Sequence, residues 1–361
     1  MRVLHIVNDA ETGGAQTLIE QLLLARQPED EAHLLVLLSP GGLSPRLEVA
    51  ATSTTYAGMT RRSVVPAAAI REIRRLVREL GIDVVHSHLH QSDLLNAITP
   101  HGAVRVSTLH SSLNVASGSV AGVVWKLVAR LSTRLDAVVA CSRSAKNFAV
   151  DFGYRFPADR IRLIHNGTVT AAAPVPEPEG PPVVLHLARY AEAKDHPVLF
   201  QAFARVLQTH PEAQLVCAGH LVDDDNTELT DELHRLGIRD SVRLLGSVGD
   251  VRSLIRSAHA VVFSSNHEAL PMAGIEALSE GVPVVTTDTG DAEVLAVERE
   301  SVVPVRDPQA LGDAVSRYLS LPRERRADVR RRSWELAREQ FDVQRTSERY
   351  RELYRELLGA R

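Results

Sequence analysis

Short apolar runs of strand length recur along the chain, each followed by a stretch with helical spacing, and this alternation is the tightest constraint on what the chain can fold into. VLHIV precedes a helical pattern over 15–25, LLVLL comes before one over 66–80, DVVHSH before 91–98, RVSTLH before 120–134 and AVVACS before 143–152. A buried strand followed by a helix, repeated, is the pattern of βαβ units, whose strands pair in parallel and are covered by helices on both faces. The alternation pauses at VTAAAPVPEPEGPP, residues 169–182, where small residues and prolines cannot build a core and read as an interdomain linker. It then resumes with PVVLHLA, QLVCAG, SVRLLG, AVVFSS and PVVTT as strand candidates. An α/β chain of two doubly wound parallel sheets is expected, and 361 residues at 44% hydrophobic content suffice for two separate cores.

Composition excludes some classes. A formal charge of −4 and 4% aromatic residues argue against a general nucleic-acid binder, which needs a basic excess and stacking side chains. Cys141 and Cys217 stand alone in apolar runs, as buried, reduced thiols do, which points to the cytoplasm. No apolar stretch approaches the ~20 residues that span a bilayer, and the start runs directly into VLHIV without a signal-like segment, so the chain is not expected to be secreted.

The stretch NHEALPMAGIEALSEGVPVVTTDTGDAEV, positions 266–294, carries the chemistry. Its strand candidate Ala260–Phe263 leads through Ser264, Ser265 and Asn266 into a turn, and a helix follows from about Ala273 to Glu280. Two carboxylates, Glu268 and Glu276, bracket this turn with seven residues between them. Ligands of open α/β sheets bind at the carboxyl ends of strands, where helix N-termini present free N–H groups and favour an anion. A glycosidase carboxylate pair fits poorly, because eight positions along a fully helical path span ~12 Å, against the ~5 Å of a retaining pair.

Glu268, seven residues, Glu276, then Ala277, Gly281–Thr286 and Gly290 resemble the signature of the retaining GT-B glycosyltransferases of family 4. Five further segments look like family segments in order: the opening MRVLHIVNDAETGGAQTLIEQLL, DVVHSHLHQSDLLNA, HNG at 165–167, LARYAEAKDHPVLFQAFA and LLGSVGDV. The resemblance implies two Rossmann-like domains facing a central cleft. It divides the chain into an acceptor-side domain (1–168), a linker (169–182), a nucleotide-sugar domain (183–341) and a final segment (342–361) crossing back to the first domain. It also implies metal-independent hexosyl transfer from a UDP- or GDP-sugar, a substrate rather than a cofactor, to a sugar, lipid-linked or small-molecule acceptor in glycan or glycoconjugate biosynthesis.

The same resemblance distributes roles. Arg189 and Lys194 match the pair that holds the diphosphate, a task that suits fixed cations because the departing phosphate gains charge; outside this context they would be ordinary surface cations. Glu276 matches the acceptor for ribose hydroxyls, and Glu268 the contact to donor-sugar hydroxyls, with the backbone of Leu270, Pro271 and Met272 lining the same pocket. Gly14, after Gly13 in a strand-to-helix turn, lets the backbone approach the donor, although the dinucleotide fingerprint is absent. Asn166 of HNG is assigned to the donor, and His110 resembles a first-domain histidine at the donor sugar. His86, His88 and His90 alternate and on a strand would share one face; without a cysteine or paired carboxylate they suggest acceptor-side lining by His88 rather than a metal site. Asp223–Asp225 reads as a solvated acidic turn.

Three positions depart from the family. Ala269 stands where Gly is usual, Asp291 where a second Gly often follows Gly290, and His220 where Asp often follows the Ala-Gly pair. The added methyl of Ala269 bears on donor identity. The expected route is front-face attack by an acceptor hydroxyl, with the departing phosphate taking its proton. A nucleotide-sugar hydrolase or epimerase and a non-catalytic sugar-nucleotide-binding partner are the competing readings. Basic segments Ile70–Leu80, with Arg74, Arg75 and Arg78, and Val123–Leu135, with Trp125, Lys126, Arg130 and Arg134, either touch the inner face of an anionic membrane or present one solvated face.

Overall fold

The structure is a computed structural model and describes residues 1–11, 13–60, 66–110 and 120–361, the side chains of 120 and 121 excepted. Thr12, within the first glycine turn, lies outside them. By internal contacts the chain divides into two compact units, Met1–Gly167 with Val343–Arg361, and Thr168–Asp342.

The first unit runs β1 (Arg2–Val7), α1 (Gly14–Leu24), β2 (Glu31–Val36), α2 (Ser44–Ala50), β3 (Ser53–Tyr56), α3 (Ala67–Glu79), β4 (Val84–His88), α4 (His90–Ile98), β5 (Val104–Leu109), α5 (Val120–Leu131), β6 (Ala137–Ala140), α6 (Arg143–Asp151) and β7 (Arg162–Leu163). All pairings are parallel, in the order β3-β2-β1-β4-β5-β6-β7. Right-handed crossovers then put α1 and α2 on one face and α3 to α6 on the other. The cores agree: Ile19, Leu23 and Leu47 pack on Leu34 and Val36, while Ile73, Leu76 and Leu95 pack on Leu4, Ile6 and Val85.

In the second unit the order is β8 (Val183–Leu187), α7 (His196–Thr209), β9 (Gln214–Ala218), α8 (Thr227–Arg235), β10 (Val242–Leu244), α9 (Val251–Arg256), β11 (Ala260–Phe263), α10 (Met272–Ser279), β12 (Val284–Thr287), β13 (Val302–Val303), α11 (Pro308–Leu319) and α12 (Arg323–Gln340). Its six strands are parallel, ordered β10-β9-β8-β11-β12-β13. Every residue of β11 and β12 is buried, as continuous apolar runs in a doubly covered sheet require; a fully buried Phe263 alone contributes about 1.5–3 kcal/mol. The fold class expected from the alternation is the one observed.

Residues 169–182, expected as a linker, belong to the second unit. The Ala171 and Val175 N–H groups donate to the carbonyls of Ser279 (3.0 Å) and Glu280 (2.9 Å), Trp334 Nε1–H donates to the Ala171 carbonyl (2.7 Å), and Glu177 pairs with Arg326 (2.6 Å). Small residues and prolines form no core, yet the remaining backbone groups suffice to hold the stretch along the end of α10. Beside it, the fully buried Glu280 carboxylate is neutralised by Arg252 (2.7 Å) and Arg256 (2.9 Å). The last helix, α13 (Val343–Gly359), closes the first unit. Its Tyr350, Leu353 and Tyr354 pack on Val84, Val104 and Val106.

Candidate functional site

Neighbouring loops part where the strand order reverses, leaving a crevice at the carboxyl ends of the strands. That point falls between β8 and β11 in the second sheet, and between β1 and β4 in the first.

In the second sheet three loops lock together. From the β11 end, Ser264 Oγ donates to the Lys194 carbonyl (2.8 Å), Asn266 N–H donates to the Ala193 carbonyl (3.0 Å) and Asn266 Nδ2 to that of Glu192 (3.2 Å). This fixes the turn 192–194 that follows β8. It also brings the Lys194 ammonium onto Glu268 Oε1, which accepts from Ser265 Oγ as well (3.1 Å). The two side chains are 19% and 13% exposed, so the charge-assisted bond contributes about 1–3 kcal/mol. The loop after β12 completes the frame: Glu268 N–H donates to Thr289 Oγ1 (3.3 Å), and Asp291 N–H to the Ala269 carbonyl (3.0 Å).

Two glycines permit these approaches. Gly290 has φ +61°, and a Cβ there would lie 2.1 Å from the Glu268 carbonyl oxygen and 2.6 Å from that of Ala269. Gly219, just after β9, has φ +156°, and its Cβ would lie 2.1 Å from the Ala188 carbonyl oxygen and 2.8 Å from the Arg189 nitrogen. Arg189 therefore rides on a backbone pinned to the next loop, where Tyr190 N–H donates to the His220 carbonyl (2.8 Å). Its guanidinium is exposed and makes no hydrogen bond or ion pair among the described residues.

Glu276 stands half-buried in the second turn of α10; Leu270 and Met272 are buried, and Pro271 is the N-cap, with no side chain capping the helix. The helix begins at Met272, so Glu268 sits on the preceding loop and the fully helical path assumed for the carboxylate spacing does not apply. Beneath the Lys194 turn, burial lowers the His186 and His196 pKa values to about 4 and about 3. Both rings are neutral at pH 7, so the positive charge of this loop resides in Arg189 and Lys194.

In the first sheet, Gly14 is the first residue of α1 and is exposed; Gly13 is its N-cap and no side chain caps the helix. Asn166 is 4% exposed, and its Oδ1 has no hydrogen-bond partner among the described residues. His110 follows β5, half-buried, at the end of a chain of rings: His5 Nδ1 to His88 Nε2 (3.0 Å), and His88 Nδ1 to His110 Nε2 (3.0 Å). His86 is held separately, Nδ1 on the Tyr354 hydroxyl (2.6 Å) and Nε2 on Thr108 Oγ1 (2.7 Å).

This corrects two readings. His88 is fully buried with both ring nitrogens engaged, so it positions His110 instead of lining an acceptor surface. His90 begins α4 and stacks on Trp125 instead of sharing a strand face with His86 and His88; His5 takes that place. Ring nitrogens of His5, His86 and His88 lie within 4.8 Å of one another, the spacing a metal ion needs, yet both nitrogens of His86 and of His88, and Nδ1 of His5, are already engaged in the hydrogen bonds just given. Burial lowers the His5 and His110 pKa values to about 4, and it lowers those of His86 and His88 well below the ordinary 6.5. Asp224, in the acidic turn, pairs with Arg239 (2.7 Å).

Sequence reasoning singled out the charged residues of the second unit and missed what holds them: Ser265, Thr289, Gly219, and in the first unit His5 with Tyr354. Only Gly219, directly after the apolar run QLVCA, left a readable signal.

Two family models match consecutive stretches: Glycosyltransferase Family 4 over residues 12–172, and Glycosyl transferases group 1 over 170–334. An uncharacterized glycosyltransferase of Methanocaldococcus jannaschii is 33% identical over 118 residues, 32% of this chain. The putative glycosyltransferase EpsF of Bacillus subtilis is 25% identical over 325 residues, 80% of this chain. The chain spans 29% of the length of the first relative and 79% of the second. Among solved structures, Anabaena HepE in complex with UDP-glucose superposes with a TM-score of 0.82 at 19% identity, over 99% of this chain and 100% of that one.

Proposed function

The chain belongs to the GT-B glycosyltransferases of the family-4 type, and from that membership we propose that it moves a hexosyl group from a nucleotide-diphosphate sugar to an acceptor hydroxyl, with retention and without a metal ion. The observation that carries the reading is the second unit's switch point, where the Lys194 ammonium is held on Glu268, just ahead of an α10 N-terminus that no side chain caps, and the Arg189 guanidinium of the same loop after β8 has no partner among the described residues.

A diphosphate leaving group needs that combination. Lys194 has three N–H donors, one spent on Glu268, which leaves two for phosphate oxygens. Arg189 adds a planar fork suited to the same oxygens. In this reading Glu268, held by Lys194 and Ser265, accepts from sugar hydroxyls and Glu276 from the ribose, and the backbone of Leu270, Pro271 and Met272 lines the sugar. In the first unit we assign Gly14 and Asn166 to the donor, and His110, its ring oriented through His88, to the transferred sugar. The acceptor oxygen forms its bond to the anomeric carbon on the face from which the phosphate leaves, that carbon–oxygen bond breaks, and the hydroxyl proton passes to the departing phosphate. Loss of one fixed donor to developing charge costs about 10²–10³ in turnover.

HepE is described with UDP, with UDP and glucose, and with UDP-glucose, which favours a UDP-sugar as the first donor to try. The acceptor is proposed to be a glycan, a lipid-linked saccharide or a small glycoside, and the chain to work in the cytoplasm in peripheral contact with the membrane. Among the described residues no helix is long and apolar enough to cross a bilayer. The test is calorimetric titration of UDP- and GDP-sugars, with and without magnesium, into wild type, Arg189→Ala and Glu276→Ala, followed by NMR of the product anomer. Binding without magnesium that both substitutions weaken is expected; no binding by any donor, or an inverted product, would overturn the reading.

A further inference from the structure

The outer face of α3 and α5 carries charge that sugar transfer does not use. These helices share one side of the first sheet, since α3 and α4 bury a common core and α5 packs Trp125 against His90 of α4 at 5.3 Å between ring centres. Residues 67–79 supply Arg71, Arg74, Arg75 and Arg78, and residues 120–134 supply Lys126, Arg130 and Arg134, against two carboxylates, Glu72 and Glu79. Both carboxylates are taken by Arg75, at 2.5 and 2.6 Å. Arg71 and Arg74 have no partner among the described residues, and Arg78 reaches only Glu79, at 3.5 Å.

The four arginines form one wall of an open groove of about 550 Å³, and Pro100–Gly102 form the other. Four arginines against two carboxylates leave an excess of positive charge around a concave surface, with Arg71 and Arg74 unpaired among the described residues, and such an excess favours an anion. The groove lies before β5 and His110 after it; six strand residues put the two ~20 Å apart. On α5, Val123 and Leu127 are 54% and 43% exposed, one turn apart, among the exposed Lys126 and Arg130, which have no partner among the described residues. Apolar side chains set among cations on one helix face suit an interface that is anionic outside and apolar beneath. Nucleic acid would call instead for exposed aromatics, and Trp125, the one aromatic of α5, is buried.

We propose that this face docks on an anionic lipid bilayer, the arginine groove receiving phosphate-bearing headgroups and Val123 and Leu127 entering the headgroup layer. The inference deepens the peripheral contact included in the transferase reading, and its test is independent of transfer. Flotation of the full chain is compared on phosphatidylcholine vesicles and on vesicles with about one-third phosphatidylglycerol. Wild type should float with the anionic vesicles only, less at high salt. Each basic residue near such a surface adds about fivefold to binding, so Arg71→Gln, Arg74→Gln and Arg78→Gln together should lower the partition on the order of a hundredfold. Donor titration and the unfolding temperature should stay at wild-type values in that triple variant. Should it fail to fold, Lys126→Gln with Arg130→Gln takes its place, with about a twenty-fivefold loss expected.

Equal flotation on both vesicle types, no flotation, or undiminished binding of the variants would overturn the proposal. So would vesicle release by millimolar inorganic phosphate, which would make the groove a free-phosphate site, or by oligonucleotide at matched salt. Flotation without donor binding would leave this surface standing and remove the transferase reading; donor binding without flotation would do the reverse.

Discussion

Gly290→Ala offers a sharp test because its consequence can be worked from the geometry. A Cβ at 290 would lie 2.1 Å from the Glu268 carbonyl oxygen and 2.6 Å from that of Ala269. Ordinary carbon–oxygen contact begins near ~3.2 Å, so the turn carrying Glu268 must recede by about 1 Å. Holding alanine at φ +61° adds about 1–2 kcal/mol, and the displaced turn strains its bonds to Thr289 and Asp291, for about 2–4 kcal/mol in all. In a unit of this size that lowers the unfolding temperature by about 5–15 °C. A misplacement of about 1 Å in the carboxylate that meets the sugar costs on the order of a hundredfold in turnover. Scanning calorimetry, UDP-sugar titration and initial rates read the three effects. Gly249→Ala is the control, since a Cβ there meets nothing within 4 Å. The reasoning is refuted if Gly290→Ala unfolds within a degree of wild type and keeps donor affinity within twofold.

Two further outcomes are expected. His5, His86 and His88 are buried with pKa values lowered from 6.5, so the unfolded chain takes up protons that the folded one refuses as pH falls below 6.5. Stability is then full above pH 6.5 and falls toward pH 4, with His5, at about 4 in the folded chain, contributing about 2 kcal/mol of that loss at pH 5. Asp93, raised to about 7 by burial while bonded to Ser87 and Ser107, works in the opposite direction and offsets part of the loss; a urea midpoint for the first unit that is flat or rises between pH 7.5 and 5 contradicts this account. Glu280→Ala leaves Arg252 and Arg256 facing a buried void, but both arginines reach solvent, so the expected loss is about 1–3 kcal/mol in urea unfolding. No measurable loss would mean that the cluster is merely solvated.

The fold class was legible because buried parallel strands announce themselves: AVVF, VVTT and VVLHL are continuous apolar runs, and each became a strand. The two-residue strands β7 and β13 carry no such signal. Around the candidate site, spacing displayed Glu268 and Glu276 and the family resemblance Arg189 and Lys194, but neither showed that Lys194 would reach Glu268, a contact across 74 positions. Glu280 reads as a solvated helix end until Arg252 and Arg256 close over it. Asp93 looks like a surface residue in HQSDLLNA, and only the sheet brings Ser87 and Ser107 to it. His90 misled because the period-two reading ran past the end of β4 into a helix. Local pattern conveys burial and period; partners distant in sequence come from topology.

The first unit is discontinuous: its sheet is built from the opening residues, yet Tyr350 and Tyr354 of α13 supply hydroxyls to Thr108 and His86 from as far as 268 positions away. On the ribosome, at ~5–20 residues per second, that helix emerges roughly 10–35 s after the rest of its unit. The contiguous second unit can therefore reach its final form earlier, and the earlier-made portion waits, with the β4–β6 part of one sheet face uncovered, for the helix made after it. Lesions near the carboxyl end, such as truncations, fusions or frameshifts, would then strike the maturation of the oldest part of the chain while sparing the nearer neighbour.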